Sequence, residues 1–418
     1  MDKFTIDYNI INETGNTLVF DIKGSSKYGL DKCLINAIRR VLLSSIDVVG
    51  IEEKNIIIKK NNTTLHNEFI KDRISLLVLY MNSKEYMFDY LFEINKSNEG
   101  TDVKKITSQD IKVYPLKKEI KEELMKELDG DDRTLFHKLS NDNDIKYYDT
   151  VNELSNIEKD KIFRPFEMNQ KQYYSLITEL SIKESDTDYP ELHLYAFPSI
   201  LNSTINSKYN NIITYYTFKK DNKLLKNKIK EAIDIEKVKK EDIDEFQQTF
   251  KIKNSERYYH RDALTDPYWY EYSIESYNYE TPKELFINAL NIIKTQLDQL
   301  IKDLNILIKD PNKTETTINL LNNDNTYQIK TTKHSESIIS ILQSHISRYN
   351  INDQSFISLL GYKRVHPLED TIILNMMIKP NNYDNSQNVN YIIQFILKGI
   401  EEITNNISLM INVATQKL

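Results

Sequence analysis

Between Asp31 and Ile46 the chain reads "DKCLINAIRRVLLSSI", and its apolar residues recur at helical spacing. Wound at 3.6 residues per turn, Leu34, Ile35, Ile38, Val41, Leu42 and Ile46 fall in one broad arc, which predicts a helix with a complete buried face. Asn36, Arg40 and Leu43 line the opposite side, with Arg39 at the margin. A helix whose core stripe is already full has no packing need for a leucine and two arginines on its back. A solvated face is the ordinary explanation, so that side needs further support before it becomes a contact surface.

The pattern then repeats. "NTLVFDIKGSSKYGLDKCLINAIRRVLLSSIDVVGIE" from Asn16 parallels "NTYQIKTTKHSESIISILQSHISRYNINDQSFISLLGYK" from Asn325. Each opens with Asn-Thr and a short alternating strand, passes a polar turn, and enters a helix, whose apolar positions in the second copy are Ile338, Ile341, Leu342, His345 and Tyr349. Each closes on a strand with a bulky-bulky-Gly step, Val48-Val49-Gly50 or Leu359-Leu360-Gly361. Further on, the segment from Asp266 parallels that from Asp370: a strand, then Asn278-Tyr279-Glu280 or Asn382-Tyr383-Asp384, then a long amphipathic helix. Thr281 followed by Pro282 supplies the cap and first turn of the earlier long helix.

Two copies of strand–helix–strand–strand–helix are therefore expected, the first split by about 200 residues between its second and third strands. Helices on one face of a small sheet leave apolar surface uncovered, and a second copy can cover it by pseudo-twofold packing. Leu34, Ile38, Val41 and Leu42 of the first copy and Ile338, Ile341, Leu342 and His345 of the second are the expected interface. The fold class is α+β: two such dimerisation-type domains paired within one chain, with a large mixed α/β insert in the first. The expected boundaries are 1–50 with 253–312 for the first domain, 51–252 for the insert and 313–418 for the second. Within the insert, helices are expected near 116–140, over "NQKQYYSLITEL" and near 222–248.

Composition narrows the chemistry. The 418 residues are 40% hydrophobic and carry a net charge of −7, so real cores are possible and there is no global basic field for nucleic acid. No run of about 20 apolar residues offers a membrane span, and the N-terminus lacks a signal-peptide layout. A soluble intracellular protein is expected. Cys33 is the single cysteine, and the seven histidines are dispersed, so neither a disulfide nor a closed zinc site is expected. His66 and Glu68, two apart, would share a face on a strand, but no third ligand stands near them. "DGDD" at Asp129–Asp132 is followed by "RTLFHKL", which lacks the spaced oxygens of a calcium loop. "ERYYHRD" with Trp269 interleaves arginine and aromatics, a weak single-strand signature that also suits edge packing. Eight scattered glycines form no phosphate loop, no catalytic triad is identifiable, and no cofactor is expected.

Two stretches carry a resemblance. "NAIRRVLLSSIDVVGIEE" followed by "TTLHNEFIKDRISLL" resembles the signature of the alpha-type assembly subunits of cellular RNA polymerases: bacterial alpha, archaeal D and the third-largest subunit of the eukaryotic enzyme. Asn36, Ala37, Arg39, Arg40, His66, Glu68, Phe69 and Arg73 fill the family's places. "YPELHLYAFPSILNSTINSKYNNIITYYTF" resembles the second segment of that family's insert domain. "FISLLGYKRVHPLEDTIILNMMI" is similar to the small partner subunit, archaeal L or the eleventh eukaryotic subunit, through Gly361, Tyr362, His366, Pro367 and Glu369, with His334 left from a motif before its helix. Asp47 replaces a proline common in the family, and the family's cysteine-rich metal loop is absent.

The resemblance implies two normally separate subunits fused in one chain, a form known chiefly from large DNA viruses that transcribe in the host cytoplasm. It implies a non-catalytic assembly platform of a DNA-directed RNA polymerase, in the host cytoplasm and the virion. Its partners would be the second-largest and largest subunits and a further small subunit, with no sequence-specific nucleic-acid contact, no membrane contact, and a monomeric chain. Asn36, Arg39, Arg40, Leu43, His66, Glu68, Phe69 and Arg73 would be the docking residues. The alternatives are a free-standing enzyme with its site in the insert, or a duplicated structural protein.

Overall fold

The computed structural model describes residues 4–418 apart from 87, 128–140, 184–188, 311–312, 322–324 and 381–383. In chain order the first part comprises β1 (Ile6–Thr14), β2 (Thr17–Gly24), α1 (Lys32–Ser44), β3 (Val48–Asn61), α2 (Asn67–Ser75), β4 (Tyr90–Ser97), β5 (Lys104–Thr107), β6 (Lys112–Pro115) and α3 (Lys118–Glu127). The middle comprises α4 (Asn156–Ile162), β7 (Phe166–Met168), β8 (Lys171–Tyr173), β9 (Leu176–Leu180), β10 (Glu191–Leu201), β11 (Ile212–Phe218), α5 (Asn222–Glu236) and α6 (Ile243–Asn254). The last part comprises β12 (Trp269–Ser276), α7 (Pro282–Lys309), β13 (Thr317–Leu321), β14 (Thr326–Thr331), α8 (Glu336–His345), β15 (Ile357–Arg364), β16 (Ile372–Ile378) and α9 (Asn385–Lys417). The chain divides into two compact units, one of Met1–Leu43, Ile213–Glu275 and Pro282–Leu418, the other of Ser44–Ile212 and Ser276–Thr281.

The first unit holds two four-stranded sheets with orders β1-β2-β12-β11 and β13-β14-β16-β15. These orders are the same once β11 is matched to β15 and β12 to β16. The repeat is therefore strand–strand–helix–strand–strand–helix, one leading strand longer than expected. Thr17 opens β2 and Thr326 opens β14, as the paired Asn-Thr starts suggest. The matching of Val48-Val49-Gly50 with Leu359-Leu360-Gly361 is corrected, because the counterpart of β15 is β11. The two stretches sit in different environments. Val48 to Ile51 are all buried, and β3 pairs there with β10 in the second unit, with the Tyr209 ring 3.2 Å from where a Cβ on Gly50 would lie. In β15, Leu359 is exposed and a Cβ on Gly361 would meet nothing. The split in the first copy accordingly falls between α1 and β11, and residues 213–252 pack with the first unit because β11 joins its sheet.

An aromatic cluster centres the first sheet. Phe286 of α7 meets Phe20 edge-on at 5.1 Å and Tyr8 at 5.8 Å, while Tyr272 lies 5.6 Å from Phe20. All four rings are buried, and such pairs add to simple area burial. The far end of α7 belongs to the other sheet: Leu300 and Leu304 share a cavity with Ile329 of β14, Leu342 of α8, Leu374 of β16 and Ile396 of α9. Helix α9 reaches the opposite way. Lys283, near the start of α7, donates to the Thr415 carbonyl at 3.3 Å, and Lys417 pairs with Asp7 of β1. The two long helices thus run antiparallel, each lying on its own copy and ending on the other's.

Two close contacts fix this arrangement. A Cβ on Gly399 of α9 would lie 2.7 Å from Ile346, so the helix approaches there as only glycine permits. His334, just before α8, holds Asp303 of α7 at 2.9 Å, both buried. Burial pushes the His334 imidazole below its usual range despite Asp303, so the neutral ring is the folded form.

The second unit is built on a sheet of order β3-β10-β4-β6, with two-stranded pairs β5-β9 and β7-β8 beside it. Its core runs through Ile51, Ile94, Leu192 and Leu194 to Ile70 and Ile74 of α2. The segment "NQKQYYSLITEL" is not helical, a correction with a clear cause. Tyr173, Leu176, Ile177 and Leu180 mimic helical spacing, but Asn169 and Gln170 both adopt positive φ, as a two-residue hairpin turn requires. β9 then buries Ile177 and Leu180 while pairing with β5. The helix expected near 116–140 is seen as α3, its remainder lying outside the described residues. In the first unit, the helix expected near 222–248 is two, because Lys237 ends α5 in the left-handed conformation.

Gly399→Val should lower stability by about 2 kcal/mol through overpacking, read as a lower Tm with an unchanged circular-dichroism spectrum; an unaltered Tm would show that α9 is not clamped at Ile346. The His334 contribution has a fixed sign. The unfolded chain protonates this ring near its ordinary pKa and the folded chain does so lower, so the stabilisation is complete above about pH 6.5 and is lost as the pH falls through the folded value. The Tm gap between the native chain and His334→Asn should therefore narrow from pH 7.5 to 5.5, whereas a charged His334–Asp303 pair would widen it.

Candidate interaction surfaces

Helix α1 begins where Asp31 turns its carboxylate onto the chain ahead, accepting the Cys33 N–H at 2.8 Å, a local cap for an exposed helical donor. Leu34, Ile35, Ile38, Val41 and Leu42 are buried as expected, together with Ala37. On the other side Arg40 is exposed, while Asn36, Arg39 and Leu43 are half-buried. Arg39 donates to the Asn36 side chain at 3.1 Å, and its charge opposes the rise that burial imposes on the Tyr216 and Tyr272 hydroxyls.

Asn36 and Arg40 also line a small polar cleft with Glu336, Ser337 and Ser340 of α8 and Tyr362 of β15. Residues singled out in the first copy thus meet one singled out in the second. This convergence was not legible beforehand, because periodicity assigns a helix its faces but not the element lying beside each one. Gly361 and Tyr362 lie on β15, and His366, Pro367 and Glu369 on the link from it to β16.

The eight residues expected at the interface of the copies are all buried in the first unit. Leu34, Ile341 and His345 share one cavity with Tyr28, Tyr349 and Ile403, and Leu342 lies in the core reached by α7. Charged groups accompany this apolar contact. Arg348 holds Asp262 and Asp266 together, and Gly29, at φ +86°, packs so close to Asp262 that a side chain would collide with it. The Tyr28 and Tyr349 rings stack at 4.3 Å, and the Tyr349 hydroxyl donates to the Tyr28 carbonyl at 3.0 Å. His345 lies 3.3 Å from Glu402, which also accepts from Asn350 at 3.0 Å, and burial pushes the imidazole below its usual range. No periodic pattern marks Asp262, Asp266 or Arg348, which stand on irregular segments and one π-helical turn.

In the second unit, His66 precedes α2 in an extended conformation, and Glu68 lies in the first helical turn. The strand geometry considered for this pair is corrected: on a helix, positions two apart diverge by about 200°. The His66 ring stacks instead near Phe69, at 6.5 Å. Phe69 is 61% exposed, and Arg73 donates to the Ile177 carbonyl at 3.0 Å. Phe69, Arg73 and the exposed Leu76 that caps the helix follow one another at helical spacing, so an apolar and cationic face runs alongside buried Ile70 and Ile74, about 100° around from them. Trp269 takes part in packing, with the Lys23 ammonium 4.3 Å from its ring and His260 stacked on it at 4.8 Å. The acidic run at 129–132 lies outside the described residues. Among the described residues no group of three or more His, Cys, Asp or Glu is placed to hold a metal, and no helix is long and apolar enough to cross a membrane.

The profile of the RNA polymerase Rpb3/Rpb11 dimerisation domain matches residues 28–297, from the approach to α1 through β12 and into α7. Over 80 residues the chain is 30% identical to DNA-directed RNA polymerases I and III subunit rpac1 of Dictyostelium discoideum, a stretch that is 19% of this chain and 21% of the relative. The chain thus spans about one fifth of the length of that relative. Because the profile covers well over half of the chain, including the helix whose back face raised the question, this protein belongs to the RNA polymerase Rpb3/Rpb11 dimerisation domain family of alpha-type polymerase subunits.

Proposed function

We propose that the protein is a non-catalytic assembly platform of a multisubunit DNA-directed RNA polymerase, with two family-type domains paired as an intrachain pseudo-dimer. The observation that carries this reading is the shared strand order of the two sheets, with α7 and α9 each ending on the opposite copy. That reciprocity is what an isologous dimer interface has. It supports the fusion of a larger and a smaller family member in one chain, and residues 44–212 as an insert in the first.

The docking surfaces in this reading are the back of α1 (Asn36, Arg39, Arg40 and Leu43) and the exposed side of α2 with His66, Glu68, Phe69 and Arg73. The second-largest and largest polymerase subunits are the partners, with a further small subunit, and nucleotidyl transfer belongs to the large pair. Arginine and aromatic side chains are the residue types enriched where binding energy concentrates, and Arg40 and Phe69 are both exposed. A viral enzyme working in host cytoplasm and carried in the virion is the setting that this fused form suggests.

Arg40→Glu and Phe69→Glu should change folding stability by only about 0.5 kcal/mol, as surface substitutions do. Each should weaken capture of the second-largest subunit by about 2 kcal/mol or more, the scale of an interface hot spot. Leu43→Asp is the poorer probe, because Leu43 is half-buried. Ile38→Asp should unfold the first unit by burying an unpaired charge. The readouts are Tm and co-purification from cells expressing both subunits; undiminished capture by both folded surface variants would end the docking proposal.

A further inference from the structure

The second sheet has a face that its helices leave open. Along β14 and β16, Tyr327, Ile329, Leu374 and Met376 are buried, so the residues alternating with them stand on the opposite side. Strand register sorts that side into rows. One row crosses all four strands, from Leu321 of β13 through Thr326 and Met377 to Leu359 of β15. Leu321 and Met377 are exposed, and Leu359 is 61% exposed. The next row, Asn319, Gln328, Asn375 and Gly361, is polar and ends on a low floor, since a Cβ on Gly361 would meet nothing within 4 Å. The third row holds Thr317, Lys330, Ile373 and Lys363.

A local distortion puts Leu359 in the apolar row. Ile357 is buried and pairs with buried Ile378, so a regular strand would turn Leu359 to that same covered side. A bulge at Ser358 sets Leu359 opposite Met377 instead and aims it outward. The Ser358 hydroxyl donates to the Met377 carbonyl at 3.0 Å and ties the bulge to its neighbour. In the first copy the matching row holds Thr14, Thr17 and Glu275, so the shared fold does not require an apolar strip there.

The charges on this face are one-sided. Lys330 and Lys363 are exposed, and neither is held in an ion pair among the described residues. No position in the three rows carries a carboxylate. Glu315, at the β13 corner, is engaged by the Thr332 hydroxyl at 3.0 Å.

We propose that this face docks an acidic amphipathic helix of a partner protein. The apolar and cationic rows lie four residues apart along the strands, about 13 Å, which is close to the diameter of a helix with its side chains, about 10–12 Å. A helix laid across the strands on Leu321, Met377 and Leu359 therefore passes over Gly361 and brings one flank to the two lysine stems. Acidic residues on that flank meet cations that lack a counter-charge. Apolar anchors at i, i+4 and i+7 span about 10 Å, within the strip's width of about 14 Å over four strands. A second copy suits the face less, because it would bring lysines against lysines, and a nucleic-acid strand offers charge without an aliphatic stripe. The face belongs to this chain alone, so its test does not depend on the polymerase docking surfaces.

The experiment selects on the immobilised full chain from a display library of random peptides of about 16 residues, some four helical turns. Counter-selection uses the double variant Leu359→Glu, Met377→Glu. Enriched peptides should carry apolar residues at i, i+4 and i+7 with Asp or Glu on one flank. A second double variant, Lys330→Glu with Lys363→Glu, leaves the apolar row intact and should weaken the best peptide by about tenfold or more in fluorescence anisotropy. Both variants change exposed positions and should melt as the native chain does; if the apolar variant fails to fold, the charge variant decides alone. No enrichment over the apolar variant, enriched peptides with basic flanks, or unchanged binding by the charge variant would overturn the site. Displacement of the peptide by oligothymidylate would assign the face to a nucleic-acid strand, and a chain dimer dissolved by Leu359→Glu would assign it to a second copy; either result overturns the proposal as well.

Discussion

Everything in the first unit depends on the exchange of long helices between two sheets. A four-stranded sheet with a helix pair on one face cannot cover that face alone, and small isolated layers of this kind are marginal. Here α7 begins on the first sheet with Phe286 and ends among Ile329, Leu342 and Leu374 of the second copy, while Lys417 of α9 reaches Asp7 of the first. In the proposed pseudo-dimer, covalent connection makes this pairing intramolecular, which raises the effective concentration of each half for the other. The apolar arc of α1 is consumed by that core, and only what remains on its back is open to any other partner.

The repeat, both long helices and the buried arc of α1 were legible in the sequence, because helical periodicity survives when every residue of the arc has a core to face. The position of the split was not. Val48-Val49-Gly50 and Leu359-Leu360-Gly361 look alike in composition, and both lie on edge strands, yet the first is buried with Tyr209 against Gly50 while Leu359 is exposed and nothing stands against Gly361. Strand pairing is a long-range fact, and a three-residue motif does not encode its partner. The hairpin at Asn169-Gln170 was misread for a related reason: four apolar residues happened to match a helical spacing, and the turn that overrides it rests on two positive φ angles. The strand geometry read for His66 and Glu68 fails in the same way, since the turn into α2 sets them apart.

Among the buried charges, Asp31, Asp262, Asp303 and Arg348 carried no periodic signal at all. They lie where the two copies meet, and buried charged groups of this kind can specify an arrangement rather than add bulk stability. A buried ion pair contributes little over an apolar contact of the same volume but penalises every arrangement that separates its members. Arg348 can reach Asp262 and Asp266 only when the π-helical turn after α8 sits against the 260–267 loop. His334 finds Asp303 only when α8 starts beside α7. These contacts select one mutual orientation from the many that apolar packing alone would tolerate, and that orientation brings Asn36 and Arg40 to the same cleft as Tyr362.

The pairing of the two copies inside one chain is the claim on which the rest stands, and solution mass tests it most directly. Light scattering of the purified protein across a dilution series, from tens of micromolar to well below one micromolar, should return the mass of a single chain throughout, because each copy already covers the other. A stable dimer whose mass does not fall on dilution would contradict this, showing that the long helices are exchanged between chains rather than within one.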